Sequence, residues 1–524
     1  MIRRRLLIWQ GSFSSNEWSE EVRQVTIMET LWLAWAGVLA YFAITAALAL
    51  WGYLHTTSLA GYAVGGRDIP AFAAGCAIAV QLTSVGTFLI NPGLVYEYGF
   101  SALIGYGVCG GLGIITGYVM FSRRFRRHSA IVEALTIPHW IGSRYSSPHL
   151  RAAFAVLSFA LLTKSTLIVV ALALMLSELL RLPPHHIAVA LTTAVVGSVM
   201  VGGAIGHAWA NVVHAISMIT VALIVIGAGL PLVFEEPGVA TRLAAIDPRL
   251  VRPINPTSLY FRSFFEVFVC YFVIGMAVVC QPHVLSKALY LRDEGEVRKF
   301  QAMAGGCAVI FTSVLVIGVW ARLTLPPGLP IDRVVPAWLI ATFPPPMQVL
   351  LAIGLLSAGL STLEGILLAL SVTISADLYP LIARKASEKS ARRAGRFGLL
   401  ALGVATATLA LWQIDQPTGR TVTIFAQYGT YMILSASLPP LVCGMFLPQI
   451  DLKGVTAGVV TALAVYLTMA FLKISTFHNN PAFLATMAIA AAGAVVVLQF
   501  LFRRGKTAAA DGVPPNVAVP HANR

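Results

Sequence analysis

The chain has 524 residues, of which 57% are hydrophobic and only 11% are charged, and its mean hydropathy is +0.80. Soluble domains carry about 25% charged residues, so this composition excludes a soluble protein and predicts that a bilayer is the solvent for most of the chain. The formal net charge of +14 does not indicate nucleic-acid binding, because what matters here is how the basic residues are distributed among the loops.

A helix that crosses the hydrocarbon core of a bilayer needs roughly 20 mostly apolar residues. Thirteen stretches meet this requirement, and they lie near 30–51, 70–91, 100–121, 152–178, 186–203, 209–233, 264–281, 301–321, 347–376, 397–413, 421–446, 455–473 and 481–502. The sequence therefore predicts an all-α polytopic membrane protein with 13 transmembrane helices. One transporter-like domain occupies 30–502, between an N-terminal tail at 1–29 and a cytoplasmic tail at 503–524.

The basic residues predict the orientation of the chain. Lys and Arg concentrate in the loops that share a side with the C-terminus, most densely at 122–128 and 383–396. Cytoplasmic loops carry such an excess, so we expect the N-terminus outside and the C-terminus inside. The arginines of MIRRRLL would then be external, and Met28, directly before the first span, is an alternative start.

The sequence predicts a short helix in each of two loops. The Pro-rich external loop 234–263 is expected to form a short surface helix. The cytoplasmic stretch LSKALYLRDEGEVRKF (285–300) alternates charged and bulky apolar residues, which predicts an amphipathic interfacial helix.

Two predicted spans are interrupted at matching places. The second span carries Gly86 and ends with NPG at 91–93, and the seventh carries Gly275 and ends with QPH at 281–283. Each would open a five-span unit, and broken helices at corresponding positions of two halves are typical of inverted-repeat transporters.

The sequence shows no sign of an enzyme. It contains no Walker motif, no HExxH and no hydrolase elbow, and the six cysteines lie in apolar spans without metal-ligand spacing. We therefore expect no catalytic residues and no cofactor.

Five segments in chain order resemble the sodium:solute symporter family. They are YAVGGRDIPAFAAGCAIAVQLTSVGTFLINPGLVYEYGFSALIGY (62–106), VGGAIGHAWANVVH (201–214), QPHVLSKALYLRDEGEVRK (281–299), LLSAGLSTLEGILLALSVTISADLYP (355–380) and LPPLVCGMFLPQIDLKGVTAGVV (438–460). The resemblance implies a LeuT-type 5+5 inverted repeat with one helix before it and two after, which equals the count of thirteen.

The resemblance also implies a sodium site. Ala358, Ser361 and Thr362 stand at i, i+3 and i+4 and share one helix face. The family pattern adds two backbone carbonyls from the broken first core helix, which correspond to Val80 and Thr83. The alternative is that Ser361 and Thr362 bond to carbonyls of their own helix, as buried hydroxyls often do.

This sequence departs from the family pattern at one element. Asn211 stands where some relatives have an aspartate that helps to form a second sodium site, so we expect at most one sodium ion. The loss leaves proton coupling open, with Glu364 as a proton carrier or, alternatively, as a packed and hydrogen-bonded carboxylate.

Lys164 lies near the middle of the fourth span, where a lysine costs about 2.5–3.5 kcal/mol on insertion scales. It is a candidate counter-charge for an anionic substrate or a stand-in for a cation. The alternatives are a structural pair with Glu364 or a carbonyl, or snorkelling. The other candidate substrate residues lie at the breaks and on the eleventh span, and they are Gln81, Ser84, Thr87, Tyr271, Gly275, Gln427 and Tyr431.

The sequence thus predicts a secondary symporter that couples inward sodium flow to uptake of a small organic solute, for which a monocarboxylate is the candidate. The alternatives are a proton-coupled transporter of the same fold and a solute receptor that does not transport. The expected partners are sodium, a small-molecule substrate and the lipid bilayer, without nucleic acid, and the expected location is a bacterial inner membrane.

Overall fold

The computed structural model describes residues 20–383, 387–416, 422–447, 449–472 and 480–510, and the remaining parts of both predicted tails lie outside them. The described chain folds into helices and contains no strand. The helices of its first half are α1 (Glu20–His55), α2 (Leu59–Arg67), α3 (Ala71–Leu82), α4 (Asn91–Tyr98), α5 (Phe100–Ile131), α6 (Ile137–Arg144), α7 (Pro148–Leu180), α8 (Pro184–Val233) and α9 (Val239–Ile246).

The second half repeats the alternation of long helices and short interrupted ones. Its helices are α10 (Phe265–Val278), α11 (Pro282–Tyr290), α12 (Val297–Thr324), α13 (Val334–Thr342), α14 (Pro345–Ile382), α15 (Glu388–Ile414), α16 (Val422–Phe446), α17 (Leu452–Leu472) and α18 (Pro481–Ala510). Helix α9 is the short helix predicted in the loop 234–263.

Within the described residues, ten helices are long and apolar enough to cross a bilayer, and two bent pairs raise the number to 12. The pairs are α2 with α3, bent by 105°, and α10 with α11, bent by 53°. The predicted spans 186–203 and 209–233 both lie in α8, which is continuous over 50 residues except for a distortion at Gly203 (φ 53°). The number of 13 spans and the orientation stay predictions.

Helix α14 lies at the centre of the molecule. Every residue from Gly354 to Leu368 is buried, and α14 packs against α1, α3, α7, α8, α11 and α15. Polar side chains on this stretch therefore face other helices and not lipid. In a bilayer their hydrogen bonds must come from protein, so their partners identify the elements that form the site.

The predicted interfacial helix at 285–300 is wrong in its first part. Helix α11 is buried along almost its whole length, and Lys287 is only 2% exposed. Its ammonium donates to the Tyr290 hydroxyl at 2.8 Å and lies over the same ring at 4.6 Å from the centroid. This local partner lets the lysine enter the protein interior, so the alternation of charged and apolar residues did not indicate a surface helix.

Candidate functional site

The predicted sodium ligands lie where the broken helix α3 meets α14. Helix α3 ends at Leu82 because Thr83 adopts an extended conformation (φ −112°, ψ 113°), which leaves carbonyls of the last turn without helical partners. The Ser361 hydroxyl lies 3.3 Å from the Val80 carbonyl oxygen and 3.1 Å from the Ala358 carbonyl oxygen. The Thr362 hydroxyl lies 3.4 Å from the same Ala358 oxygen.

These contacts form a loose set of oxygen atoms. Hydroxyl–oxygen hydrogen bonds normally measure about 2.7–2.8 Å, so contacts of 3.1–3.4 Å are long. Gly359 allows α14 to pack closely against its neighbours, since a Cβ there would lie 2.5 Å from Leu172 Cδ1 of α7 and 2.8 Å from Val85 Cγ2, beyond the end of α3. The hydroxyls do bond to a carbonyl of their own helix, as in the alternative interpretation, but Ser361 also reaches across to α3. The arrangement offers oxygen ligands of the kind that hard cations prefer.

A cluster of ionisable side chains lies two residues beyond Thr362. The Glu364 carboxylate contacts His207 Nδ1 at 3.1 Å and lies 3.7 Å from His214 Nε2. The other ring nitrogen of His214 is hydrogen-bonded to the Tyr41 hydroxyl. Glu364 and both histidines are at most 4% exposed, so this cluster is formed entirely inside the membrane domain.

Two predicted residues face this cluster. Gln81 Nε2 lies 2.5 Å and Asn211 Nδ2 lies 3.0 Å from His207 Nε2. The Oε1 atom of Gln81 and the Oδ1 atom of Asn211 are buried without hydrogen-bond partners. Gln81 was predicted to bind substrate, but here it points at His207 and packs against Gly365.

Lys164 reaches the break between α10 and α11. Its ammonium donates to Gln281 Oε1 at 3.3 Å, and Gln281 Nε2 donates to the Val278 carbonyl at 2.9 Å. Gln281 is fully buried, and the neighbouring His283 is buried with both ring nitrogens unpartnered. Lys164 does not pair with Glu364, whose partners are histidines. The Lys164 side chain therefore ends at the helix break, and inverted-repeat transporters hold their substrates at such breaks.

An aromatic group lies on α10, about two turns before the same break. Tyr271 has ring-centroid distances of 4.5 Å to Tyr106 and 5.4 Å to Phe261. The Tyr106 hydroxyl accepts a hydrogen bond from Gln427 at 3.4 Å. Tyr271 and Gln427 are thus connected through Tyr106, and Tyr431 contributes a further partly buried ring to the same core.

Three of the predicted substrate residues contribute to helix packing or to the hydrogen bonds of a turn. Gly275 lies inside the regular part of α10, so the break is not there but at 279–281. A Cβ at Gly275 would lie 2.2 Å from the Gly110 carbonyl oxygen of α5, so this glycine allows two helices to pack closely. Ser84 caps the turn after the first break and accepts from the amide of Gly86. Thr87 belongs to that turn, and its amide donates to the Ser84 carbonyl.

Sequence reasoning missed four ionisable residues of this region, namely His207, His214, His283 and Lys287. The signal was present, since an ionisable side chain in a membrane segment is a functional candidate by default. His207 and His214 stand seven residues apart, two helical turns along α8, and therefore face the same neighbour.

Comparisons with known proteins show what the chain resembles. The model of the sodium:solute symporter family matches residues 62–462. A sodium/pantothenate symporter of Haemophilus influenzae is 23% identical over 477 residues, which cover 84% of this chain and 92% of that protein. The high-affinity proline transporter PutP of Bacillus subtilis is 24% identical over 458 residues, with coverage of 83% and 92%.

A solved structure has the same fold. It is a sodium-coupled sialic acid symporter in a substrate-bound, outward-open state, and it superposes with a TM-score of 0.73 at 15% identity. The superposition covers 89% of this chain and 98% of that one.

Proposed function

The chain belongs to the sodium:solute symporter family, and from this premise we propose that it uses inward sodium flow to drive uptake of a small organic carboxylate. The observation that carries the proposal is the contact of Ser361 with the Val80 carbonyl at the break of α3. The Val80, Thr83 and Ala358 carbonyls and the Ser361 and Thr362 hydroxyls hold the ion. One charge moved inward across 100 mV releases about 2.3 kcal/mol, so the protein accumulates solute without ATP.

The ligand oxygens come from two helices, and this explains the coupling. When sodium binds, the Ser361 hydroxyl turns its oxygen from the Val80 carbonyl towards the ion, and the carbonyl becomes a ligand as well. Helix α3 is then held against α14 through the ion. Release of the ion to the inside frees α3 to move, and the site becomes accessible from the other side of the membrane.

The finer topology is part of the same proposal. Helix α8 has 50 residues and at 1.5 Å per residue measures about 75 Å, more than twice the roughly 30 Å hydrocarbon core. Its backbone turns at Gly203, and counting it as two spans gives the thirteen that the sequence predicts. An odd number, with basic loops inside, places the N-terminus outside and the C-terminus in the cytoplasm of a bacterial cell.

The substrate class follows from Lys164. Its ammonium stands at the second helix break with only an amide oxygen as hydrogen-bond partner, so it is available as the counter-charge of an anion. Proline, pantothenate and sialic acid, for which the relatives are named, each contain a carboxylate. A monocarboxylate whose carboxylate contacts Lys164 fits this charge.

Uptake into proteoliposomes tests the proposal. Radiolabelled acetate, pyruvate, proline and pantothenate are offered under an inward sodium gradient and under a choline gradient. Wild type is compared with Ser361→Ala/Thr362→Ala. Ser357→Ala is the matched control, because Ser357 lies one turn earlier on α14 and its hydroxyl donates to the Ile353 carbonyl of its own helix at 3.0 Å.

We expect uphill, sodium-dependent uptake of at least one carboxylate by wild type and by the control. Loss of two oxygen ligands to a cation, each worth about 1.5–3 kcal/mol, should weaken the apparent sodium affinity of the double variant at least about 100-fold. Uptake that ignores sodium, or a double variant that behaves like the control, would refute the sodium site. Binding without uphill accumulation would indicate a receptor.

A further inference from the structure

The described residues contain three buried carboxylates, and one of them differs from the other two. Glu266 is bonded to the guanidinium and the amide of Arg262 and to Asn480, at 2.8–2.9 Å. Asp377 is bonded to Arg151 at 2.7 Å and to Thr136 at 2.6 Å. Both acids therefore have a permanent cation. Glu364 has only imidazoles within hydrogen-bond or ion-pair distance, and an imidazole is charged only when it is protonated.

The contacts of Glu364 are incomplete for an ionised carboxylate. The His207 contact is a normal hydrogen bond at 3.1 Å, but His214 Nε2 at 3.7 Å is too far for one and has no other partner. Buried charges are expensive unless they are paired and fully hydrogen-bonded, and apolar packing is often equally stable. Packing alone therefore does not account for these three side chains.

The two amides on His207 fit either protonation state of its ring. As placed, the nitrogens of Gln81 and Asn211 face His207 Nε2, so that atom accepts, Nδ1 donates to Glu364, and the ring is neutral. If an amide turns by half a rotation, its unpartnered oxygen accepts from a protonated Nε2, and the ring is an imidazolium paired with the carboxylate. Gly365 leaves room for this, since a Cβ there would lie 2.4 Å from Gln81 Nε2.

The charged and titratable groups near this cluster come from three further helices, and a fourth contributes a neutral amide. Helix α1 supplies Tyr41, which is bonded to His214. Helix α11 supplies Lys287 and His283, which lie within electrostatic range of the cluster. Helix α7 supplies Lys164, which lies within electrostatic range of His283. Helix α3 contributes only the neutral amide of Gln81.

We propose that the His207 ring, paired with the Glu364 carboxylate, takes up and releases one proton in each transport cycle. In the proton-bound state His207 is an imidazolium that donates to the Glu364 carboxylate from Nδ1 and to an amide oxygen from Nε2. On release the Nε2 proton leaves, the ring is neutral, and an amide N–H donates to Nε2 instead. No other bond is made or broken.

The site adjoins the proposed sodium site but does not depend on it. Val80, whose carbonyl contacts Ser361, and Gln81, whose amide contacts His207, are consecutive residues of α3. On the other side, Ser361 and Glu364 stand one turn apart on α14. A displacement of α3 against α14 therefore changes both contacts at once. The two ions are linked through the geometry of one pair of helices.

Histidine ring nitrogens report the proton directly, without a known substrate. The full chain, labelled with ¹⁵N-histidine in lipid nanodiscs, is titrated by NMR from pH 4.5 to 9, in sodium chloride and in choline chloride. His207→Asn assigns the His207 signal. The test variant is Glu364→Gln, and Gln81→Met is a second variant that keeps the carboxylate. The control is His185→Gln, because His185 pairs with Asp415 in the same way but at an exposed position.

We expect the His207 ring to change from neutral to imidazolium within pH 5–9 in wild type and control. Its midpoint should fall by at least one pH unit in Glu364→Gln, because the neighbouring carboxylate favours the cation, and should also fall in Gln81→Met. A ring that keeps one protonation state throughout this range in both salts would overturn the proposal, and so would a midpoint that neither variant moves.

Transport provides a second measurement that separates the two sites. With one proton coupled, an inside-alkaline gradient of one pH unit should raise the accumulation of substrate by about tenfold. Glu364→Gln should lose this gain and keep its response to sodium, whereas Ser361→Ala/Thr362→Ala should show the reverse. A pH gradient that acts equally on wild type and Glu364→Gln would contradict a proton-coupling role.

Discussion

Replacing Lys164 by methionine should separate transport from stability, because the two effects have different signs. Methionine is an unbranched side chain of similar length without the charge. A central lysine costs about 2.5–3.5 kcal/mol on insertion scales, and the hydrogen bond to Gln281, being charge-assisted, returns about 1.5–3 kcal/mol. The two contributions nearly cancel, so Lys164→Met should be as stable as wild type or slightly more stable.

For substrate binding, in contrast to stability, no favourable contribution offsets the effect of Lys164→Met. The substrate anion loses a charge-assisted contact of about 1.5–3 kcal/mol, which corresponds to a KM raised about 10- to 150-fold. The assay is sodium-driven uptake of the carboxylate that wild type transports, together with the melting temperature of the purified protein in detergent. Lys164→Arg keeps the charge and should retain most of the affinity.

A matched control uses an exposed lysine outside the site. Lys453 lies near the start of α17 and is exposed, so Lys453→Met should change neither KM nor melting temperature. The reasoning is refuted if Lys164→Met keeps the wild-type KM. It is also refuted if this variant loses uptake and stability together, since Lys164 would then be a structural residue.

Two further predictions concern packing and pH. Gly275→Ala places a Cβ against the Gly110 carbonyl and should lower stability by about 1–3 kcal/mol. The control Gly306→Ala has open space around its Cβ position and should leave stability unchanged. Equal melting temperatures of the two variants would disprove the close approach at Gly275. Burial, together with the nearby arginines, lowers the pKa of His139 to about 4, whereas the pKa of this histidine in the unfolded chain is near 6.5. Between about pH 4 and 6.5 the unfolded state therefore binds more protons than the folded state, and stability falls as the pH falls. His139→Gln should flatten the dependence of melting temperature on pH over this interval, and parallel profiles would contradict the shift.

The sequence predicted the helical class and the family because both depend on local signals. Runs of apolar residues are visible without knowledge of the fold, and the motifs between 62 and 462 match the family model. The continuity of α8 was less accessible, because the sequence predicted two spans at 186–203 and 209–233, whereas the structure joins them in one helix with a distortion at Gly203. Gly275 shows a related error, since it was taken for a helix break although it mediates contact with α5.

In the candidate site, too, local features of the sequence were predicted and long-range contacts were not. Ser361 and Thr362 were singled out through the resemblance to the family, and the structure brings Ser361 to Val80 across 281 positions of the chain. Gln81 was assigned to the substrate because it lies at a break. Its actual partner, His207, lies 126 positions away, and no local pattern predicts such a contact.

Sequence distance also explains why two of the three buried carboxylates could not be told apart from the sequence. Arg262 stands four residues before Glu266, a spacing that is visible in the sequence. The cation of Asp377 lies 226 positions away, and the histidine that contacts Glu364 most closely in space, His207, lies 157 positions away. The sequence therefore does not distinguish Asp377 from Glu364, since each is a carboxylate in an apolar helix. Its function depends on whether the partner that the fold supplies is a permanent cation or a group that can lose its proton, and only Glu364 has the second kind.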